Sequence, residues 1–106
     1  MSEWKQLATE IRRGVRGCDV VIETLVKQSV TTLFGLPAES INSLFDAARK
    51  RTDLSVITSR HESNAALMAS AYGKLLGTPA AVTATNGPGV THLPIGTRDA
   101  LLDGAP

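Results

Sequence analysis

The chain has 106 residues, 42% of them hydrophobic and 20% charged, a balance that excludes a disordered segment and sets the size at one small domain or part of one. Lys and Arg total 11 against 10 Asp and Glu, and a net charge of +1 supplies no concentrated basic face for nucleic acid or an anionic membrane surface. Apolar runs are too short to span a bilayer, and no basic stretch leads into an apolar segment, so the expected compartment is a reducing cytoplasm.

Residues 1–17 read as a basic N-terminal extension. Trp4, Leu7, Ala8 and Ile11 fall at helical spacing among Lys5, Arg12, Arg13 and Arg16, until Gly14 and Gly17 interrupt the pattern. Glu3 and Glu10 count against a mitochondrial presequence. From Cys18 onward the pattern alternates. Cys18, Val21, Ile22 and Leu25 form a helical stripe with Asp19 in the first turn, where the helix dipole favours an anion. Val30–Phe34 reads as a buried strand stopped by Gly35-Leu36-Pro37. Ser40 is the expected cap of a second helix, with stripe Ile41, Leu44, Phe45 and Ala48 and with Arg49, Lys50 and Arg51 at its end. Leu54–Thr58 is a second strand, read as apolar and buried, so that Glu62 would lie between it and a helix rich in small apolar residues. A third helix starts near Glu62 and stops at Gly77, with Pro79 beyond it. Ala80–Ala84 is a third strand, broken by Asn86-Gly87-Pro88-Gly89. A weaker helical pattern, carrying Pro94 and Gly96, runs to Leu102.

Strand–helix alternation with short loops predicts right-handed crossovers, hence an α/β, three-layer open parallel sheet with helices on both faces. Open sheets of this kind usually carry about five or six strands. The visible strands fall short of that, and the sequence stops at Asp103-Gly104-Ala105-Pro106, where a loop would feed another. Residues 18–106 therefore read as a truncated domain.

Ligands of open parallel sheets bind outside the carboxyl ends of the strands. Here those ends carry Gly35-Leu36-Pro37-Ala38-Glu39, Arg60-His61-Glu62 and Asn86-Gly87-Pro88-Gly89. Neither Gly/Pro loop matches a phosphate-cradling pattern, so the spacing marks a ligand edge without naming the ligand. Glu62 admits two readings: a first-turn carboxylate satisfying helix amides, or a buried carboxyl with a raised pKa that shares a proton with a ligand nitrogen. His61 reads as a hydrogen-bonded structural histidine, and Cys18 as a small core residue. Two histidines and one cysteine give no metal-ligand spacing, so no metal site is expected in this chain.

The ordered series Gly35-x-Pro37, Arg60-His61-Glu62-x-x-Ala65-x-x-Met68-Ala69-x-x-Tyr72-Gly73, Gly77-x-Pro79, Gly87-Pro88-Gly89-x-Thr91 and Asp103-x-x-Pro106 resembles the N-terminal pyrimidine-binding domain of thiamine-diphosphate enzymes. Within them it most resembles the acetolactate synthase and pyruvate oxidase group. The resemblance implies a portion of an enzyme that decarboxylates or ligates 2-oxo acids such as pyruvate. It implies that Glu62 hydrogen-bonds N1′ of the cofactor's aminopyrimidine and favours the imino tautomer that activates the thiazolium. Gly35, Pro37, Gly87, Pro88 and Gly89 would line the pyrimidine, with Ala38 and His92 on the substrate side. Ala38 stands where the family usually has glycine. His92 stands where acetolactate synthases usually carry asparagine, whereas Thr91-His92-Leu93 is similar to pyruvate oxidases.

The same resemblance implies that Mg²⁺ and the diphosphate are held by a separate domain with a Gly-Asp-Gly motif, which this sequence lacks. It implies a homo-oligomer or a complementing C-terminal domain as partner, with FAD bound in several complete members. The isolated chain is not expected to be active alone. The alternative is a noncatalytic truncated module that acts only through a partner chain. A flavodoxin-like nucleotide binder also fits the strand–helix rhythm but lacks a phosphate loop.

Overall fold

The structure, a computed structural model, describes residues 2, 3, 5, 6, 9 and 14–106. The stripe Trp4, Leu7, Ala8 and Ile11 lies outside the described residues. The first element after it is helix α1 (Gly17–Lys27), with Asp19 in its first turn and Lys27 in its last, each charge suited to its end of the helix dipole. Strand β1 (Thr32–Gly35) follows and is buried along its whole length. A short 3₁₀ turn (Glu39–Ile41) leads into α2 (Asn42–Arg49), then strand β2 (Ser55–Thr58). Helix α3 (Glu62–Leu76) ends on Gly77, whose φ of 67° is the left-handed conformation that glycine adopts without steric cost. Strand β3 (Ala81–Thr83), a four-residue helix α4 (Pro88–Thr91) and α5 (Pro94–Leu102) complete the chain.

The sheet is parallel with order β2-β1-β3, Leu33 standing opposite both Val56 and Ala81. The crossover from β1 to β2 runs one way along the sheet, and that from β2 to β3 runs back past β1. Two right-handed crossovers of opposite direction put their helices on opposite faces. On one face α1 and α2 cover Leu33, building a core of Ile22, Leu33, Ala47, Ala48 and Leu54, with Cys18 half-buried at its margin. On the other face α3 lies on Phe34: Tyr72 meets that ring edge-on at 6.0 Å, and its hydroxyl lies 3.1 Å from Thr31 Oγ1. The expected α/β sheet with helices on both faces is what forms.

Two expectations are corrected. Ser40 does not cap α2; it sits in the 3₁₀ turn, and α2 starts from Ile41 without a side-chain cap. Nor does an apolar buried strand precede Glu62, because β2 is an edge strand with Ser55, Ile57 and Thr58 exposed. Pro94, which weakens the helical pattern in the sequence, occupies the first turn of α5, where a missing N–H costs nothing. Gly96 lets α5 cross α3 closely: a Cβ there would lie against Ala66 and 2.6 Å from the Leu67 amide nitrogen.

Candidate functional site

The site forms at the carboxyl ends of the strands. After β2 the chain turns through Ser59 and Arg60 to His61, the N-cap of α3, whose backbone is extended at φ −152° and ψ 140°. His61 Nδ1 accepts the Ser63 N–H at 3.2 Å, and Ser59 Oγ donates to the His61 carbonyl at 2.7 Å. The cap satisfies one amide of the first helical turn and fixes where α3 begins. Glu62 is then the first residue of α3 and is buried, with 8% of its surface exposed.

After β3 the chain passes Thr85 and Asn86 to Gly87, whose φ of 69° and ψ of −128° only glycine adopts readily. Pro88 opens α4. Gly89 is buried where a Cβ would stand 2.7 Å from Thr85 Cγ2 and 3.2 Å from Glu62 Oε1, so the backbone of α4 closes directly over the carboxylate. That approach delivers His92 to Glu62. His92 Nδ1 lies 2.9 Å from Glu62 Oε2, and Ser63 Oγ donates to the His92 carbonyl at 2.9 Å. The His61 and His92 rings face one another with centroids 4.4 Å apart and planes at 33°.

The hydrogen bond from His92, followed by one from the backbone, holds the Glu62 carboxyl below its ordinary pKa, against the opposing effect of burial. Of the two readings of Glu62, the raised pKa is therefore the one the site does not support, and the backbone hydrogen bond accords with the first-turn carboxylate. Burial alone would favour the neutral acid, but a positioned hydrogen-bond partner favours the charged form more strongly. His61, in turn, is hydrogen-bonded, as its position suggested, through the Ser63 N–H on Nδ1.

The loop after β1 joins the site through Ser40 Oγ, hydrogen-bonded to Thr85 Oγ1 across the crevice between β1 and β3. Pro37 is exposed and Ala38 half-buried on that loop. Gly35 is buried in the strand itself, where a Cβ would meet Thr83 Cγ2 at 2.7 Å and Phe45 Cζ at 3.1 Å, so close packing accounts for the glycine there. Gly87 and Pro88 are exposed on the turn into α4. Sequence reasoning did not anticipate α4, the pairing of His92 with Glu62, or the Ser40–Thr85 link. Pro88 after a glycine was a legible helix-start signal, but the two pairings join residues 30 and 45 positions apart and leave no local trace.

An open parallel sheet that buries a carboxylate at its carboxyl edge, beneath a glycine-bearing turn, has the architecture of α/β units, whose ligands take that edge. Residues 15–106 match the family described as thiamine pyrophosphate enzyme, N-terminal TPP binding domain, and the chain belongs to that family. It is 43% identical over 91 residues to an acetolactate synthase of Bacillus subtilis, covering 86% of this chain and 16% of that protein. It is 38% identical over 93 residues to the mitochondrial catalytic subunit of acetolactate synthase from Aspergillus candidus, covering 88% of this chain and 13% of that protein. With the chloroplastic acetolactate synthase of Arabidopsis thaliana the identity is 34% over 91 residues, covering 86% of this chain and 14% of that protein. The chain thus spans 13% to 16% of the length of these relatives. Among the described residues, no helix is long and apolar enough to cross a membrane.

Proposed function

We propose that this chain supplies the pyrimidine-binding half of a thiamine diphosphate site, in an enzyme that decarboxylates or ligates 2-oxo acids such as pyruvate. The observation that carries the reading is the Glu62 carboxylate, buried at the carboxyl edge of the sheet with Oε1 against Gly89 and Oε2 on His92. The residues present fit the group. A carboxylate kept ionised accepts a hydrogen bond from a ring N–H, and the close approach of α4 keeps that carboxylate from water. Thiamine diphosphate, when bound, supplies a carbon nucleophile and an electron sink for decarboxylation.

In this reading Glu62 is the catalytic residue, holding a proton shared with the aminopyrimidine. The turn at Gly87, Pro88 and Gly89, the end of β1 at Gly35 and the loop at Pro37 and Ala38 flank the ring, and His92 and Ala38 lie toward the substrate. The diphosphate and its Mg²⁺ take charged contacts that these loops do not offer, so a second subunit or a further domain supplies them. The isolated chain then binds the cofactor weakly and does not turn over.

A chimera tests this directly. The chain replaces the corresponding segment of the Bacillus subtilis acetolactate synthase, and acetolactate formation is measured with and without Glu62→Gln. An active chimera whose kcat falls by about 10²–10⁴ on Glu62→Gln, with subunit assembly and circular dichroism unchanged, supports the reading. A folded chimera indifferent to Glu62→Gln overturns it in favour of a noncatalytic module.

A further inference from the structure

His61, Glu62 and His92 form a cluster in which one ligand atom from each lies within 4.8 Å of the others. Two imidazoles and one carboxylate are the donor set of three-ligand zinc sites that leave a fourth position to water or substrate. We propose that these residues bind a borderline divalent cation, Zn²⁺ being the best match, at the mouth of the crevice. Mg²⁺ is a poor match, since it demands oxygen ligands in octahedral array.

The geometry needs only local adjustment. Ligand atoms around tetrahedral Zn²⁺, at bonds of about 2.0–2.1 Å, stand about 3.3 Å apart. The Glu62–His92 pair is already at 2.9 Å, so closure falls to His61, whose ring is exposed and turns about its own side chain. A neutral imidazole has one nitrogen lone pair, and that of His61 now accepts the Ser63 N–H through Nδ1. Ligation therefore gives up this cap hydrogen bond, moves the His92 ring proton from Nδ1 to Nε2 so that Nδ1 is free to coordinate, and replaces the His92–Glu62 hydrogen bond by two bonds to the metal. The His92 side chain is 42% exposed and the Glu62 side chain 11%, so an ion reaches the cluster from solvent and is held against a largely buried charge.

The metal site stands independently of the pyrimidine reading. Competition between metal and ring rests on that reading, because both would use the Glu62 carboxylate.

The test is calorimetric titration of the full, metal-stripped chain with ZnCl₂, alongside the visible absorption of the Co²⁺ form. One equivalent of Zn²⁺ should bind, with affinity reduced about tenfold or more in each of His61→Asn, Glu62→Gln and His92→Asn, while Cys18→Ser is unaffected. Co²⁺ bound to the unmutated chain should show the intense bands of a four-coordinate site and no thiolate charge transfer, a readout that does not depend on any variant folding. The absence of one-site Zn²⁺ binding, a Co²⁺ spectrum of the fully hydrated ion, or binding lost with Cys18 instead overturns the proposal. The two readings fail separately: loss of one-site Zn²⁺ binding overturns the metal site alone, whereas a folded chimera indifferent to Glu62→Gln overturns the pyrimidine reading alone.

Discussion

The ionisation of single side chains is decided here by their partners. Glu62 is buried, yet its carboxyl lies below its ordinary pKa because His92 donates to it. Replacing His92 by Ala removes the largest cause of that shift. The Glu62 titration, followed by carbon NMR of its side chain, should then move upward; an unchanged midpoint would show that the backbone hydrogen bond suffices. Asp46 illustrates the same effect at the surface. Lys50, Arg16 and Arg49 push its carboxyl down from 3.8 to about 2. A carboxyl whose folded pKa lies below its unfolded value stabilises the fold above the unfolded value, and that contribution disappears as pH falls through the folded one. Unfolding midpoints should therefore decline between about pH 4 and pH 2 and less so in Asp46→Asn. The effect should shrink in high salt because these pairs face solvent.

At the scale of elements, glycines govern how closely helices approach. Gly96 sits where any side chain would strike Ala66, and α5 is further tied to α3 by Ser70 and Lys74, each 2.7 Å from Asp99 Oδ2. Gly96→Val should cost about 1–3 kcal/mol in thermal or denaturant unfolding, since the helices must separate to admit it. Gly77→Ala should cost about 1–2 kcal/mol, for a different reason: the residue added is forced into the left-handed conformation, with open space around it. Equal stability of Gly77→Ala and the parent chain would mean that the helix end rearranges. The two glycines are not equally legible. Gly77 followed by Pro79 is a helix stop that any reading of the sequence finds, whereas Gly96 looks like a blemish in α5 until Ala66 is seen beneath it.

For the molecule as a whole, the two faces of the sheet are packed differently. The face under α1 and α2 holds Ile22 and Leu33, the largest fully buried side chains among the described residues. On the face under α3, Phe34 of the sheet meets Tyr72, and the most buried side chains that α3 itself offers are the small Ala65 and Ala66. Ile22→Ala should therefore destabilise the chain by about 2–5 kcal/mol, read from denaturant unfolding, because the surrounding core relaxes only partly into the cavity. A loss well under that range would place the main core on the α3 face instead.

The sequence by itself determined the order of the strands and longer helices, the parallel α/β class and the ends of α3, because hydrophobic period, helix stops and short loops are local signals that right-handed crossovers convert into one topology. It also carried the family, through motifs whose spacing survives in the linear chain. It misassigned Ser40, whose hydroxyl had two plausible partners, a helix amide nearby or Thr85 far along the chain. Only the tertiary structure decided between them. It likewise decided that β2 is an exposed edge, that α4 folds over Glu62 by way of Gly89, and that His61 and His92 meet at one carboxylate. Each of these depends on residues brought together by strand order, and a carboxylate's ionisation depends on that company more than on its own position in the sequence.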